Sequence, residues 1–155
     1  MPLAGHVYTS PGGVTGFDAD GHITAEIAGA FQPRPAWTLD MTYTRFDFTL
    51  VEAQPGLEPK PNAPKNRVTL GATYMRPRFA ASFRHRWVDH FMWASGLFVG
   101  PVPGYNVSDL NASYTLTRHW QLGTNVSNLF DRRHYEMYGG DILRRRALVH
   151  LTTNW

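Results

Sequence analysis

The chain has 155 residues, 15 Lys and Arg against 12 Asp and Glu, a formal charge of +3, and 14% aromatic but only 17% charged residues. That is enough for one domain and too aromatic for a disordered chain; the scattered basic residues form no stripe, so no nucleic-acid partner is expected. With no cysteine, a disulfide framework and a thiolate metal site are excluded, and no run of about 18 apolar residues is present to make a transmembrane helix.

The mean hydropathy of −0.34 leaves a membrane barrel open, because alternate residues of its strands face a polar lumen. Fourteen Gly and eleven Pro favour an all-β chain rich in turns. Residues 1–10 (MPLAGHVYTS) lack the basic and apolar regions of a secretory signal. Residues 1–20 are expected to be a loop or irregular segment, with residues 14–20 (VTGFDAD) a poor strand candidate.

From residue 21 onward, period-2 segments run at 22–31, 37–49, 66–75, 79–88, 104–116, 120–129 and 146–155. Short turns with Pro or Arg follow the first, third and fifth, at 32–35, 76–78 and 117–119. Long connections follow the others, at 51–65, about 90–103 and 130–145. The predicted fold is all-β, an antiparallel up-and-down transmembrane β-barrel segment of about seven strands over 21–155. Most strands have the roughly 9–11 residues that a tilted strand needs to cross a bilayer. Short turns would face the periplasm and long loops the exterior.

The two faces differ in kind. One reads Ile23, Ala25, Ile27, Gly29, Phe31, then Leu39, Met41, Tyr43, then Val68, Leu70, Ala72, Tyr74, and continues so to Val149, Leu151 and Trp155 without one Asp, Glu, Lys or Arg. The other carries Glu26, Asp40, Arg67, Arg84, Arg86, Asp109 and Arg146 among Thr, Ser and Asn. A charge facing lipid at mid-depth costs about 2–4 kcal/mol, which accounts for the exclusion. Phe31, Trp37, Tyr74, Phe79, Tyr114, Trp120 and Trp155 all fall near the short-turn end, as an interfacial girdle would. A soluble half-buried sheet also alternates, but has no reason to align its rings. Phase breaks at Arg45–Phe46 and near Ser108–Asp109 mark either β-bulges or the upper margin of the lipid band.

The last third resembles a known family. Residues 104–116 (GYNVSDLNASYTL) and Asn128-Leu129-Phe130-Asp131 followed by Tyr135 are similar to the strand and the motif that enter the final extracellular loop of TonB-dependent receptors. Residues 21–48 resemble that family's paired strands around a short Pro turn. The last strand, with Val149, Leu151 and Trp155, resembles the signal read by the barrel-assembly machinery. The resemblance implies a Gram-negative cell outer membrane protein that imports a ferric siderophore or similar nutrient without covalent chemistry. No enzyme activity, catalytic residue, metal site or cofactor is therefore expected. Implied partners are outer-membrane lipid, the assembly machinery, a small ligand, and TonB only through a plug domain.

Nothing in the chain resembles a plug or a TonB box, and the segments typical of haem-uptake members are absent, so seven His do not suggest a haem receptor. Seven strands with a downward first strand are what a cut through an extracellular loop of a larger barrel would leave. An open edge in hydrocarbon costs on the order of tens of kcal/mol, so the expectation is a truncated or partial sequence, inactive alone. Candidate ligand-facing residues are Arg84 and Arg86 on the lumen face and His90, Trp93, Tyr138 and Arg144 near the loops; cations and rings suit anionic, catecholate-like ligands. Pairing of the arginines with Asp109 is the alternative for any one of them. Competing classes are a small porin-like barrel and a soluble ligand-binding β-barrel.

Overall fold

The computed structural model describes residues 6–9, 15–19, 22–48, 61–95 and 97–153. Eleven strands follow in chain order: β1 (His6–Thr9), β2 (Thr15–Ala19), β3 (His22–Arg34), β4 (Trp37–Phe48), β5 (Asn66–Arg76), β6 (Phe79–Val88), β7 (Phe91–Ser95), β8 (Phe98–Val102), β9 (Tyr105–Thr115), β10 (Trp120–Ser127) and β11 (Arg146–Thr153). Nine form one antiparallel sheet in the order β1-β2-β3-β4-β5-β6-β9-β10-β11, and β7 and β8 make a separate hairpin. The seven long strands are those the alternation predicts.

Two expectations need correction. Residues 6–9 and 15–19 are strands rather than loop: β1 pairs with β2 over four residues, and β2 holds β3 through Asp18–Ile23 and Ala19–His22. Such short segments carry too few alternations to show a period, and only the free edge of β3 gives them a template. The connection over 90–103 likewise contains β7 and β8, paired from Phe91–Val102 to Ser95–Phe98. Pro101 sits in that hairpin, where a missing N–H is tolerated because both strands are edges.

The β3–β4 and β4–β5 ladders run without interruption through the first phase break, and the β6–β9 ladder through the second. Arg45 pairs with Ala25 and Asn66, and Ser108 and Asp109 pair with His85 and Arg84. Neither breaks the ladders cited; the polar residues there lie toward the loop-side margin of the lipid band. On the outward face at that margin Arg45 Nε donates to Asp47 Oδ2 at 2.6 Å, and His85 Nδ1 lies 2.8 Å from Ser108 Oγ. The one register shift between β3 and β4 lies between Phe31 and Arg34, at Pro33, which has no N–H to give the ladder.

Burial fixes which face is which. Among the described residues only Ala36, Val88, Val102 and Val107 form a buried apolar set, while Ile27, Phe31, Met41, Leu70, Val149 and Leu151 are 44–67% exposed. The chain presents 11633 Å² to solvent, against about 7,900 Å² for a compact soluble monomer of its mass. A soluble barrel would enclose Leu70 and Val149, so that reading fails. Ala36 of this set lies in the short turn between β3 and β4, whereas Val88, Val102 and Val107 lie toward the loop end.

The girdle gives the tilt. Phe31 shares a ladder row with Leu39, Ala72, Phe83, Leu110 and Val126. Trp37 and Tyr74 lie two residues below that row, Phe79 and Tyr114 four below, and Trp120 six below. Six residues of descent across five strand spacings correspond to a tilt of about 40° at ~3.3 Å per residue and ~4.8 Å between strands, within the range for closed barrels. That is the tilt at which the stepped rings would share one level, and neighbours along the layer touch: Trp37 and Tyr74 centroids are 4.9 Å apart, and Tyr74 and Phe79 6.0 Å. Trp155 lies outside the described residues. No ladder among those residues joins β1 to β11, so a self-closed porin-like barrel is not formed by them.

Candidate functional site

The inward face and the loop end meet at Asp109. On β6, which climbs toward the loops, Arg84 and Arg86 alternate onto the lumen face, and Arg84 is directly opposite both Asp109 and Gly71. The ion pair nevertheless forms diagonally, between Arg86 Nη2 and Asp109 Oδ2 at 3.6 Å. The reason is the second oxygen: Asp109 Oδ1 accepts the Asn128 backbone N–H at 2.9 Å, which draws the carboxylate loopward, past Arg84. Arg84 remains exposed on the lumen wall, with no ion pair among the described residues. Asn111 bonds Ser82 instead, at 3.4 Å.

Asn128 is 3% exposed and ties the next turn together. Its amide donates to Arg132 O at 2.7 Å and its carbonyl accepts the Arg132 N–H at 2.8 Å. Asn128 and Asp131 both have positive φ, 54° and 53°, a conformation that Asn and Asp tolerate because their short side chains bond locally. Leu129 N–H bonds Ser108 O at 2.7 Å, and the Phe130 ring is exposed. The motif is thus a turn that folds the loop back onto β9.

Asp131 then clamps the far end of that loop. Arg144 donates to both of its oxygens, Nε at 2.9 Å and Nη2 at 2.6 Å, and the Arg145 backbone N–H adds a third bond at 2.9 Å. The Arg144 guanidinium and that backbone donor hold the Asp131 carboxyl well below its ordinary range. Arg144 is therefore committed to the loop's own closure. At the neighbouring connection, Asp89 is also lowered, chiefly by the Asn66 amide at 3.1 Å and by the His90 backbone N–H at 2.8 Å. The His90 side chain is 81% exposed beside it.

Trp93 and Tyr138 are brought together. Trp93 pairs with Gly100 across the β7–β8 hairpin, and the Tyr138 ring occupies the space a Cβ on Gly100 would need. Both rings therefore lie on the same face of the hairpin. A second contact sets Phe98 against Gly139, whose φ of +76° suits glycine. Asn62 completes the rim: its amide bonds Ala94 O and N–H at 2.9 and 2.7 Å, continuing the ladder from a side chain.

The sequence reading missed a cavity of about 180 Å³ lined by Pro103, Gly104, Tyr105, Arg133, His134, Tyr135 and Ile142. There His134 stacks on Tyr105 with centroids 4.7 Å apart, and its Nδ1 lies 3.0 Å from Arg132 O. Of these the sequence motif marks Tyr135 alone, since nothing local links Tyr105 to His134. The described residues contain no group of three or more His, Asp or Glu disposed to hold a metal ion. What the arrangement offers is a lumen wall with an exposed guanidinium at Arg84 and, at the loop end, an aromatic hairpin and a pinned loop.

The family model described as TonB dependent receptor-like, beta-barrel, matches residues 7–129, starting within β1. Among solved structures, the siderophore receptor PiuA from Acinetobacter baumannii is 19% identical with a TM-score of 0.63, over 91% of this chain and 22% of that one. The copper transporter OprC is 17% identical with a TM-score of 0.65, over 92% and 24%. The ferric-catecholate import receptor Fiu from E. coli is 22% identical with a TM-score of 0.61, over 96% and 23%. The chain thus spans less than a quarter of the length of these proteins, and the likeness is one of fold. No relative was found among the curated proteins.

Proposed function

Since the chain belongs to the TonB-dependent receptor-like β-barrel family, we propose that it supplies adjoining strands of an outer-membrane receptor wall through which a ferric siderophore or similar scarce ligand is imported. The observation that carries this reading is the pairing of an exposed, girdled apolar face with a polar lumen face that ends in Arg84, Arg86 and Asp109. The wall faces lipid outside and ligand inside. Trp93 and Tyr138 offer ring faces at the rim, and Arg84 offers an exposed cation with no ion pair among the described residues, a combination suited to an anionic catecholate complex. Arg86 and Arg144 act instead through Asp109 and Asp131, keeping the last loop seated.

The remaining partners follow from the same reading. Val149, Leu151 and Trp155 serve the barrel-assembly machinery, and TonB acts through a plug rather than through these strands. The Asn128–Asp131 turn with Tyr135 shapes the final loop over the lumen.

The test is uptake of a radiolabelled ferric catecholate in a Gram-negative host lacking its own catecholate receptors, with these strands carried in a complete receptor that has a plug and the rest of the wall, and with outer-membrane fractions blotted for that receptor. Arg84→Gln is expected to lower uptake at least tenfold at unchanged outer-membrane abundance. An outer-membrane protein that confers no uptake, or uptake indifferent to Arg84→Gln, would overturn the ligand assignment. Recovery in the soluble fraction would overturn the barrel.

A further inference from the structure

The short turns at the girdle end, residues 32–36, 76–78 and 117–119, hold Arg34, Arg76, Arg78 and Arg118 and no Asp or Glu. All four side chains are exposed, and no ion pair among the described residues includes them. Register fixes where two of them lie. Arg34 is the cross-strand partner of Trp37, and Arg76 of Phe79. Residues directly opposite in an antiparallel ladder share a face, so both arginines project from the outward, apolar side just below the ring layer. Arg76 is held there: its Nε donates to the Tyr74 hydroxyl at 3.3 Å, and its guanidinium carbon stands 6.0 Å from that ring's centroid. Arg78 stands in the same turn as Arg76, next to Phe79 in sequence, and Arg118 occupies the following short turn, two residues before Trp120.

A ring layer marks the boundary of the hydrocarbon, and the next layer outward is the plane of lipid phosphates. Outward guanidiniums at that level therefore meet phosphate before they meet bulk water. We propose that this rim is a docking surface for anionic phospholipid headgroups of the leaflet on the short-turn side, with phosphatidylglycerol as the representative. The arginines take phosphate oxygens two N–H groups at a time, which a guanidinium does better than an ammonium. The girdle rings pack against the lipid's glycerol and ester region. The proposal rests on the barrel fold and is independent of which ligand is imported.

The test uses the complete receptor that carries this chain, purified from its membrane and reconstituted into vesicles mixing phosphatidylcholine with either brominated phosphatidylglycerol or brominated phosphatidylcholine. Bromine quenches nearby indoles, and Trp37 and Trp120 adjoin Arg34 and Arg118. Phosphatidylglycerol is expected to be preferred about fivefold at the rim, the factor for one interfacial cation. Replacing all four arginines by Gln should bring the ratio to about one, and replacing them by Lys should retain much of it. Where the fourfold Gln variant fails the heat-modifiability check for folding, Arg34→Gln with Arg76→Gln alone should still reduce the preference. A ratio near one in the unaltered protein, or a preference that survives these Gln changes, overturns the proposal. So does loss of the preference to millimolar inorganic phosphate, which would make the rim a free-anion site, or to polyglutamate, which would make it a site for an acidic protein.

Discussion

Leu70→Arg tests the orientation of the sheet most directly. Leu70 is outward, 44% exposed, in a row between Met41 and His85. It lies four residues above Tyr74, the girdle ring of its own strand. At ~3.3 Å per residue and a tilt of about 40°, that places it roughly 10 Å above the girdle, near the middle of an apolar band about 25 Å tall. An arginine there carries the full mid-depth cost of about 2–4 kcal/mol, a factor of roughly 30–1,000 in the folding equilibrium. Ala72→Arg, about 5 Å above the girdle, should cost less, since the penalty falls toward about 0–1 kcal/mol at the interface. Thr73→Arg, facing the lumen between Thr38 and Ser82, should cost least. The assay, on a complete receptor carrying these strands, is urea unfolding in phospholipid vesicles, followed by loss of heat-modifiability on a gel. The reasoning is refuted if Thr73→Arg destabilises as much as Leu70→Arg, or if the Leu70 and Ala72 variants fall in the reverse order.

Two further outcomes concern the loop end. Asp109→Ala removes a carboxylate that accepts the Asn128 N–H and pairs with Arg86; the turn should loosen by about 1.5–3 kcal/mol, seen as faster amide exchange at residues 128–132 with β4–β5 exchange unchanged. Because the folded Asp131 carboxyl is depressed below its ordinary value of 3.8, its contribution is present above that value and is lost only as pH falls through the lower folded value. Amide exchange at Arg145, corrected for intrinsic rate, should therefore stay protected at pH 4–7 and rise only under stronger acid, whereas Asp131→Asn should lose much of that protection throughout.

Alternation alone determined the seven long strands and their faces, because a side-chain period of two is a local property: Leu39, Leu70 and Val149 announce their side without knowing their neighbours. The girdle was legible for the same reason, since each of these rings stands within a few residues of a short turn, as was the Asn128–Asp131 turn, whose residue types tolerate positive φ. Short strands were not legible. β1 and β2 exist because β3 offers an edge, and β7–β8 because Asn62 and Tyr138 brace a hairpin that its own sequence, with Pro101, does not favour. The same holds for the site. Sequence placed Arg84 and Arg86 on one face as equivalents and set Arg144 beside them as a ligand candidate. Only the fold shows that Asp109, pulled loopward by the Asn128 N–H, takes Arg86 and leaves Arg84 exposed, and that Asp131 takes Arg144 across 13 residues of loop. Periodicity records which face a residue occupies; which partner it meets there depends on register and loop closure, and those are set by contacts between residues far apart in the chain.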